Sequence, residues 1–131
     1  MLLLSGCTYS RDIYVKGPSG AVGVSSVDVT VVREIAGQVA RQSGMRMWSD
    51  AENRARQEWL AALGSKSESV IVSYESPRKP LGVFLKVFLT TRGVIDIIGD
   101  DRSLNRMAGV LKARFGPQRV IDHKYIYINP V

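Results

Sequence analysis

Apolar positions recur at helical spacing along the stretch 27–42, where Val31, Val32, Ile35, Ala36, Val39 and Ala40 fall on one side of a wheel. Arg33, Glu34, Gln38 and Arg41 fall on the other side. Ser26 or Asp28 is placed to cap the start, and Gly44 stands where such a helix stops. A second helix is expected over Asp50–Leu63. Ser49-Asp50-Ala51-Glu52 has capping-box form, in which Ser and Glu each satisfy a backbone N–H that the first turn leaves open. Its apolar stripe (Ala51, Ala55, Trp59, Ala62, Leu63) is narrow and alanine-rich, which places it on the edge of a domain, with Gly64 closing it.

The period then changes to two. Val70–Glu75, Val83–Thr91 and Val94–Ile98 read as strands separated by turn-rich segments, and the middle one, apolar on both faces, belongs inside a sheet. Asp100, Asp101 or Ser103 caps a third helix whose face carries Leu104, Met107, Ala108, Leu111 and Phe115, and Gly116-Pro117 ends it. A last strand covers Tyr125–Ile128. The expected order is α-α-β-β-β-α-β. Short links between the three middle strands predict an antiparallel meander, and the assembly is an α+β two-layer sandwich with a four-stranded sheet. The division expected is a signal-peptide remnant over 1–6, a flexible tether over 7–26 in which Ile13-Tyr14-Val15 offers a short strand, and a single domain over 27–131.

Composition narrows the chemistry. The chain has 131 residues, 45% hydrophobic and 23% charged, enough for one core without cross-links. A single cysteine excludes an internal disulfide, and a single histidine excludes His-rich metal sites. The formal net charge of +6 favours anionic surfaces, although the basic residues are scattered. Arg102 and Arg106, one turn apart on the third helix, form with Arg119 a candidate anion-binding patch.

Other constellations lack their companions. Ser76-Pro77-Arg78-Lys79 fits Ser-x-x-Lys, but Pro77 within it and Pro80 after it place it in an inter-strand loop instead of at a helix start. Asp122 and His123 are adjacent on a strand and so point to opposite faces. Asp96, Asp100 and Asp101 lack calcium-loop spacing, and the last two are accounted for as caps. Gly17-x-x-Gly20-x-x-Gly23 follows no clear strand and reads as part of the tether. Trp48 and Trp59 bracket the second helix, Trp59 being expected in the core. No catalytic set, metal site or cofactor site is expected.

The first residues carry the most specific signal. Leu4-Ser5-Gly6-Cys7 resembles the lipobox of bacterial lipoproteins, in which small residues admit an extended backbone to a peptidase and the following Cys is acylated. The resemblance implies cleavage before Cys7 and acylation of the new N-terminus. Only Met1–Leu4 precede the small residues and none is basic, whereas a working signal has a basic region and about 7–15 apolar residues. The expected start therefore lies upstream. Thr8 after the cysteine, instead of Asp, resembles the sorting pattern for the outer membrane in diderm bacteria. The function expected is that of a non-catalytic envelope lipoprotein facing the periplasm, anchored in the membrane by acyl chains. It would act as a binding or assembly accessory toward an envelope protein or an anionic polymer. The alternative is a soluble basic protein binding nucleic acid, with Tyr125 and Tyr127 as stacking residues.

Overall fold

A computed structural model describes residues 7–63, 68–77 and 82–128. Leu4-Ser5-Gly6, the helix-closing Gly64 and the Arg78-Lys79-Pro80 part of the Ser-x-x-Lys loop lie outside the described residues, as do the side chains of Cys7 and Tyr127. The elements in chain order are β1 (Cys7–Val15), α1 (Ser26–Gln42), β2 (Arg46–Met47), α2 (Asp50–Ala62), β3 (Glu68–Glu75), β4 (Phe84–Thr90), β5 (Ile95–Gly99), α3 (Asp101–Phe115) and β6 (Val120–Ile128). The six strands form one sheet in the order β2-β3-β4-β5-β1-β6, with every adjacent pair antiparallel.

The α+β class, the three helices and the β3–β4–β5 meander agree with the sequence pattern. The four-stranded sheet does not: β1 and β2 add to it, and β6 begins five residues before the expected Tyr125. β1 is the consequential correction. Residues 7–15, expected in a flexible tether, form an interior strand between β5 and β6. The cause is legible in its alternation. Ile13 and Val15 are fully buried in the core, Arg11 is buried beside them, and Asp12 and Tyr14 point the other way. Because both β5 and β6 run antiparallel to β1, they run parallel to each other, and α3 makes the crossover between them.

Both N-terminal caps on the first two helices are capping boxes. α1 is capped by Ser25 with Asp28, one residue ahead of the expected Ser26, and α2 by Ser49 with Glu52 as expected. α1 and α3 press Val32, Ile35, Ala36, Val39 and Leu104, Met107, Ala108, Leu111 onto one sheet face, against Ile13, Val15, Val72, Leu85, Val87, Ile95, Ile97 and Val120. α2 is not on that layer. It packs on β3 toward the second face and buries no residue; Trp59, expected in the core, is 53% exposed. The Gln57 side-chain amide takes up the outer edge of β3, donating to Glu68 O (2.9 Å) and accepting from Val70 N (3.1 Å). That pairing blunts an edge which β2 covers only at Tyr74 and Glu75.

The glycine-rich stretch expected in the tether is packed against the sheet instead. Val24 N donates to Gly93 O at 2.8 Å, so the link from β1 to α1 lies on the β4–β5 turn. A Cβ on Gly23 would stand 2.8 Å from the Gly93 Cα, closer than two carbons can approach. Gly23→Ala is therefore expected to lower stability by about 1–3 kcal/mol in urea unfolding. Val22→Ala next to it, at a fully exposed side chain, should leave stability within about 0.5 kcal/mol. A neutral Gly23→Ala would contradict the packed link.

Candidate functional site

Strand alternation gives the sheet a second face, away from α1 and α3. Register puts Val70, Phe88, Asp96, Tyr14 and Ile121 in one row across β3, β4, β5, β1 and β6. One step along the strands on that face stand Asp12 on β1 and His123 on β6, which are paired directly. Of the three helices only α2 lies to this side, at the β3 end. There Lys86 sits with its ammonium 4.2 Å from the Trp48 ring centroid. Burial and the neighbouring Arg56 lower its pKa, against the opposing pull of Glu75. At the other end of the face the rings of Tyr14, His123 and Tyr125 follow one another, with centroids 6.2 Å and 4.6 Å apart.

A cavity of about 500 Å³ opens on this face, lined by Tyr14, Lys16, Glu68, Asp96, Ile121 and the Thr90–Val94 turn. Its floor is Asp96. This carboxyl is only 8% exposed, and its Oδ1 has no hydrogen-bond partner among the described residues. Burial, then the hydrogen bond and charge of Asp12, then the charge of Glu68, push its pKa up to about 8. Asp12 lies on the strand next to it, diagonal to Asp96, where two carboxyl groups meet only if one keeps its proton. Burial and the neighbouring acids thus favour the protonated form of Asp96. Asp12 in turn accepts from the hydroxyls of Tyr14 (3.5 Å) and Tyr125 (3.4 Å). Burial and the two acids push the Tyr14 phenol up to about 12, so it stays a hydrogen-bond donor. The site can hold a proton, accept and donate hydrogen bonds, and present ring faces.

The residues singled out in the sequence are placed differently. Arg102 and Arg106 do share a small cavity, with Ser43, Val83 and Asp100, and Arg106 donates to Ser43 Oγ at 3.2 Å. Arg119 does not join them. It lies beyond the far end of α3, stacked over Phe115 and paired with Asp28 at 2.8 Å, where it ties β6 to the start of α1. The three-arginine patch is thus reduced to two. Asp100 is the cap of α3, accepting from Ser103 N, and also accepts from Phe84 N. Among the described residues no group of three or more metal-ligating side chains occurs. Asp122 and His123 point to opposite faces as expected, Asp122 into the Arg11 pair and His123 into the ring row.

Sequence reasoning missed the site roles of Asp12 and Tyr14 because it offered only a short Ile13-Tyr14-Val15 strand within a tether, and it set Asp96 aside as a metal candidate. The signal was a lone acid inside the apolar run Ile95-Asp96-Ile97-Ile98. No family model, no curated protein and no solved structure matches the chain.

A buried acid with a raised pKa gives a definite pH signature. Below about pH 4 both folded and unfolded chains keep the Asp96 proton, so it makes no difference to stability. Between about pH 4 and pH 8 the unfolded chain releases it while the folded chain retains it, so this group lowers stability as pH rises. The groups facing it are Asp12 and Tyr14 on β1, Glu68 on β3, and Tyr125 and His123 on β6, with Lys16 and Arg92 at the mouth. Asp96→Asn is expected to flatten this limb, its stability relative to the parent rising steadily from pH 4 to pH 8 in urea titrations. A constant difference across that range would show that Asp96 ionises like an exposed acid.

Proposed function

We propose that the protein is a lipid-anchored envelope protein, acylated at Cys7, that works as a non-catalytic binding accessory through the second face of its sheet. The observation that carries this reading is the opposed placement of the two features along β1. Cys7 begins the strand, and Tyr14 at the cavity stands seven residues on, about 23 Å away at the rise of an extended strand. A chain anchored at Cys7 would hold its cavity on the side away from the membrane.

The spacing element also fits an anchor, though in a different form from a flexible tether. β5 pairs with β1 only at Ile13–Val15, while β6 pairs with it as far as Cys7. The Cys7 end of β1 and the facing end of β6 therefore continue past the β5 pairing as a two-stranded arm, about 20 Å long over the six residues 7–12. Arg102 and Arg106 lie on the first two turns of α3, which begins beside Arg11, and they face Ser43 and Val83. Arginine side chains there would favour a membrane surface with anionic headgroups. No described helix is long and apolar enough to cross a membrane, so attachment in this reading rests on acyl chains.

The nucleic-acid alternative draws no support from Tyr125, whose hydroxyl donates to Asp12 beside a further acid. Phosphates approaching that face would meet carboxylates.

Metabolic labelling with radioactive palmitate tests the anchor. Expressed with its native upstream region, the protein should take up label and fractionate with membranes. Cys7→Ser should take up none and appear in the soluble fraction. An unlabelled parent would overturn the reading.

A further inference from the structure

The cavity on the second face has a composition that selects among ligands. Its floor offers Asp96, a buried carboxyl whose Oδ1 has no hydrogen-bond partner among the described residues. A buried acceptor left unpaired carries a desolvation cost that a ligand donor would relieve. Its rim carries Lys16 and Arg92 against Glu68, with Asp12 just behind. An anion entering would be drawn to the two cations but pressed against two carboxylates, and a cation would meet the reverse. Neither sign of charge is favoured. Thr90, Thr91 and the Tyr14 hydroxyl both donate and accept, so the lining matches groups that do the same. The volume is within the roughly 300–1,000 Å³ typical of ligand sites.

The cavity does not end in a wall. Past Ile121, which is 41% exposed, it runs onto the row of Tyr14, His123 and Tyr125 rings. Aromatic faces carry negative charge density and attract positively polarised C–H groups. A flat ring of C–H and O–H groups has both complements: its faces suit the aromatic row and its edge suits the acid and the threonines.

We propose that this cavity and the adjoining ring row form a binding site for a neutral oligosaccharide, with Asp96 and Asp12 hydrogen-bonding sugar hydroxyls and Tyr14, His123 and Tyr125 carrying sugar faces. This deepens the reading of the second face as the binding face by naming the ligand class. It does not depend on acylation. The chain length is set by the site: one sugar against Asp96 and further units along the rings toward Tyr125. Lys16 and Arg92 at the opposite rim lie beyond the aromatic row and serve as hydrogen-bond donors, not as counter-charges.

The test is a titration of the uniformly 15N-labelled chain with cellotetraose, chitotetraose and maltotetraose, alongside inorganic phosphate and tetralysine as charged probes. At least one sugar is expected to give saturable shifts at the amides of Asp12, Tyr14, Asp96, Ile121 and His123. His123→Ala, at an exposed position that leaves the core untouched, should weaken that binding about tenfold, and Asp96→Val by at least as much. Asp96→Asn, which keeps a donor and an acceptor in place, should bind within about threefold of the parent. Shifts at this face with phosphate or tetralysine and none with the sugars would overturn the ligand class while leaving the binding face standing. Silence with all five probes would overturn the oligosaccharide site. Either result leaves the palmitate test of the anchor unaffected.

Discussion

The Arg11 guanidinium is the point on which the second half of the sheet depends. Its side chain is 5% exposed, and it donates from Nε and Nη2 to both oxygens of Asp122 at 2.8 and 2.7 Å. Its remaining nitrogen reaches Asn105 Oδ1 at 2.9 Å and the Asp101 carbonyl and carboxylate at 3.3 Å. One side chain from β1 thus binds β6 and the first turn of α3. The fork geometry of arginine suits the bidentate pair, and a lysine could not reproduce it. Breaking such a pair from one side leaves a half-buried charge, at a cost of about 3–5 kcal/mol. Arg11 also holds the Asp122 carboxyl below its ordinary pKa. The stability from this pair is accordingly present above about pH 4 and lost as pH falls further. The pair specifies register as well. Shifting β1 by one residue would send Arg11 to the second face and Asp12 into the core.

That register builds the candidate site. With Ile13 and Val15 on the core side, Asp12 and Tyr14 must stand on the other, where β5 brings Asp96 and β6 brings His123 and Tyr125. The core face is closed by α1 and α3, while on the second face only α2 contributes, at the far β3 end. A buried carboxyl beside another carboxyl is a costly arrangement for stability alone. Its cost falls on the folded state as a raised pKa, and the carboxyl lies in the lining of a cavity. The same strand that seats Asp12 and Tyr14 begins at Cys7, so the proposed anchor and the proposed binding face are two ends of one element.

Much of the fold was legible in the chain. The periodicity of α1 and α3, the capping box at Ser49 and the three-strand meander are local features, and each appears within a residue or two of its expected bounds. What was not legible was non-local. Residues 7–15 alternate correctly for a strand, but the Cys7 motif before them and the glycines after them read as a membrane tether. Their partners, β5 and β6, lie 80 or more residues away in sequence. The Gly17, Gly20 and Gly23 spacing looked like flexibility, yet Gly23 is small because another backbone touches it. The site followed the same rule. Asp96 was visible as an isolated acid in an apolar run, but its meaning required Asp12, which only the misread strand supplies. Arg119 was grouped with Arg102 and Arg106 by its nearness to α3, whereas the length of that helix separates them and Asp28 holds it.

Amide hydrogen exchange tests most directly whether β1 is a locked strand of the sheet. In the parent protein Ile13, Tyr14 and Val15 are expected to be protected to the same degree as β4. In Arg11→Met, protection at these residues should fall together with that of β6 and Asp96, while β3 and β4 keep theirs. Exchange of residues 13–15 within the dead time in the parent, with the rest of the sheet protected, would return the segment to a tether and remove the candidate site with it.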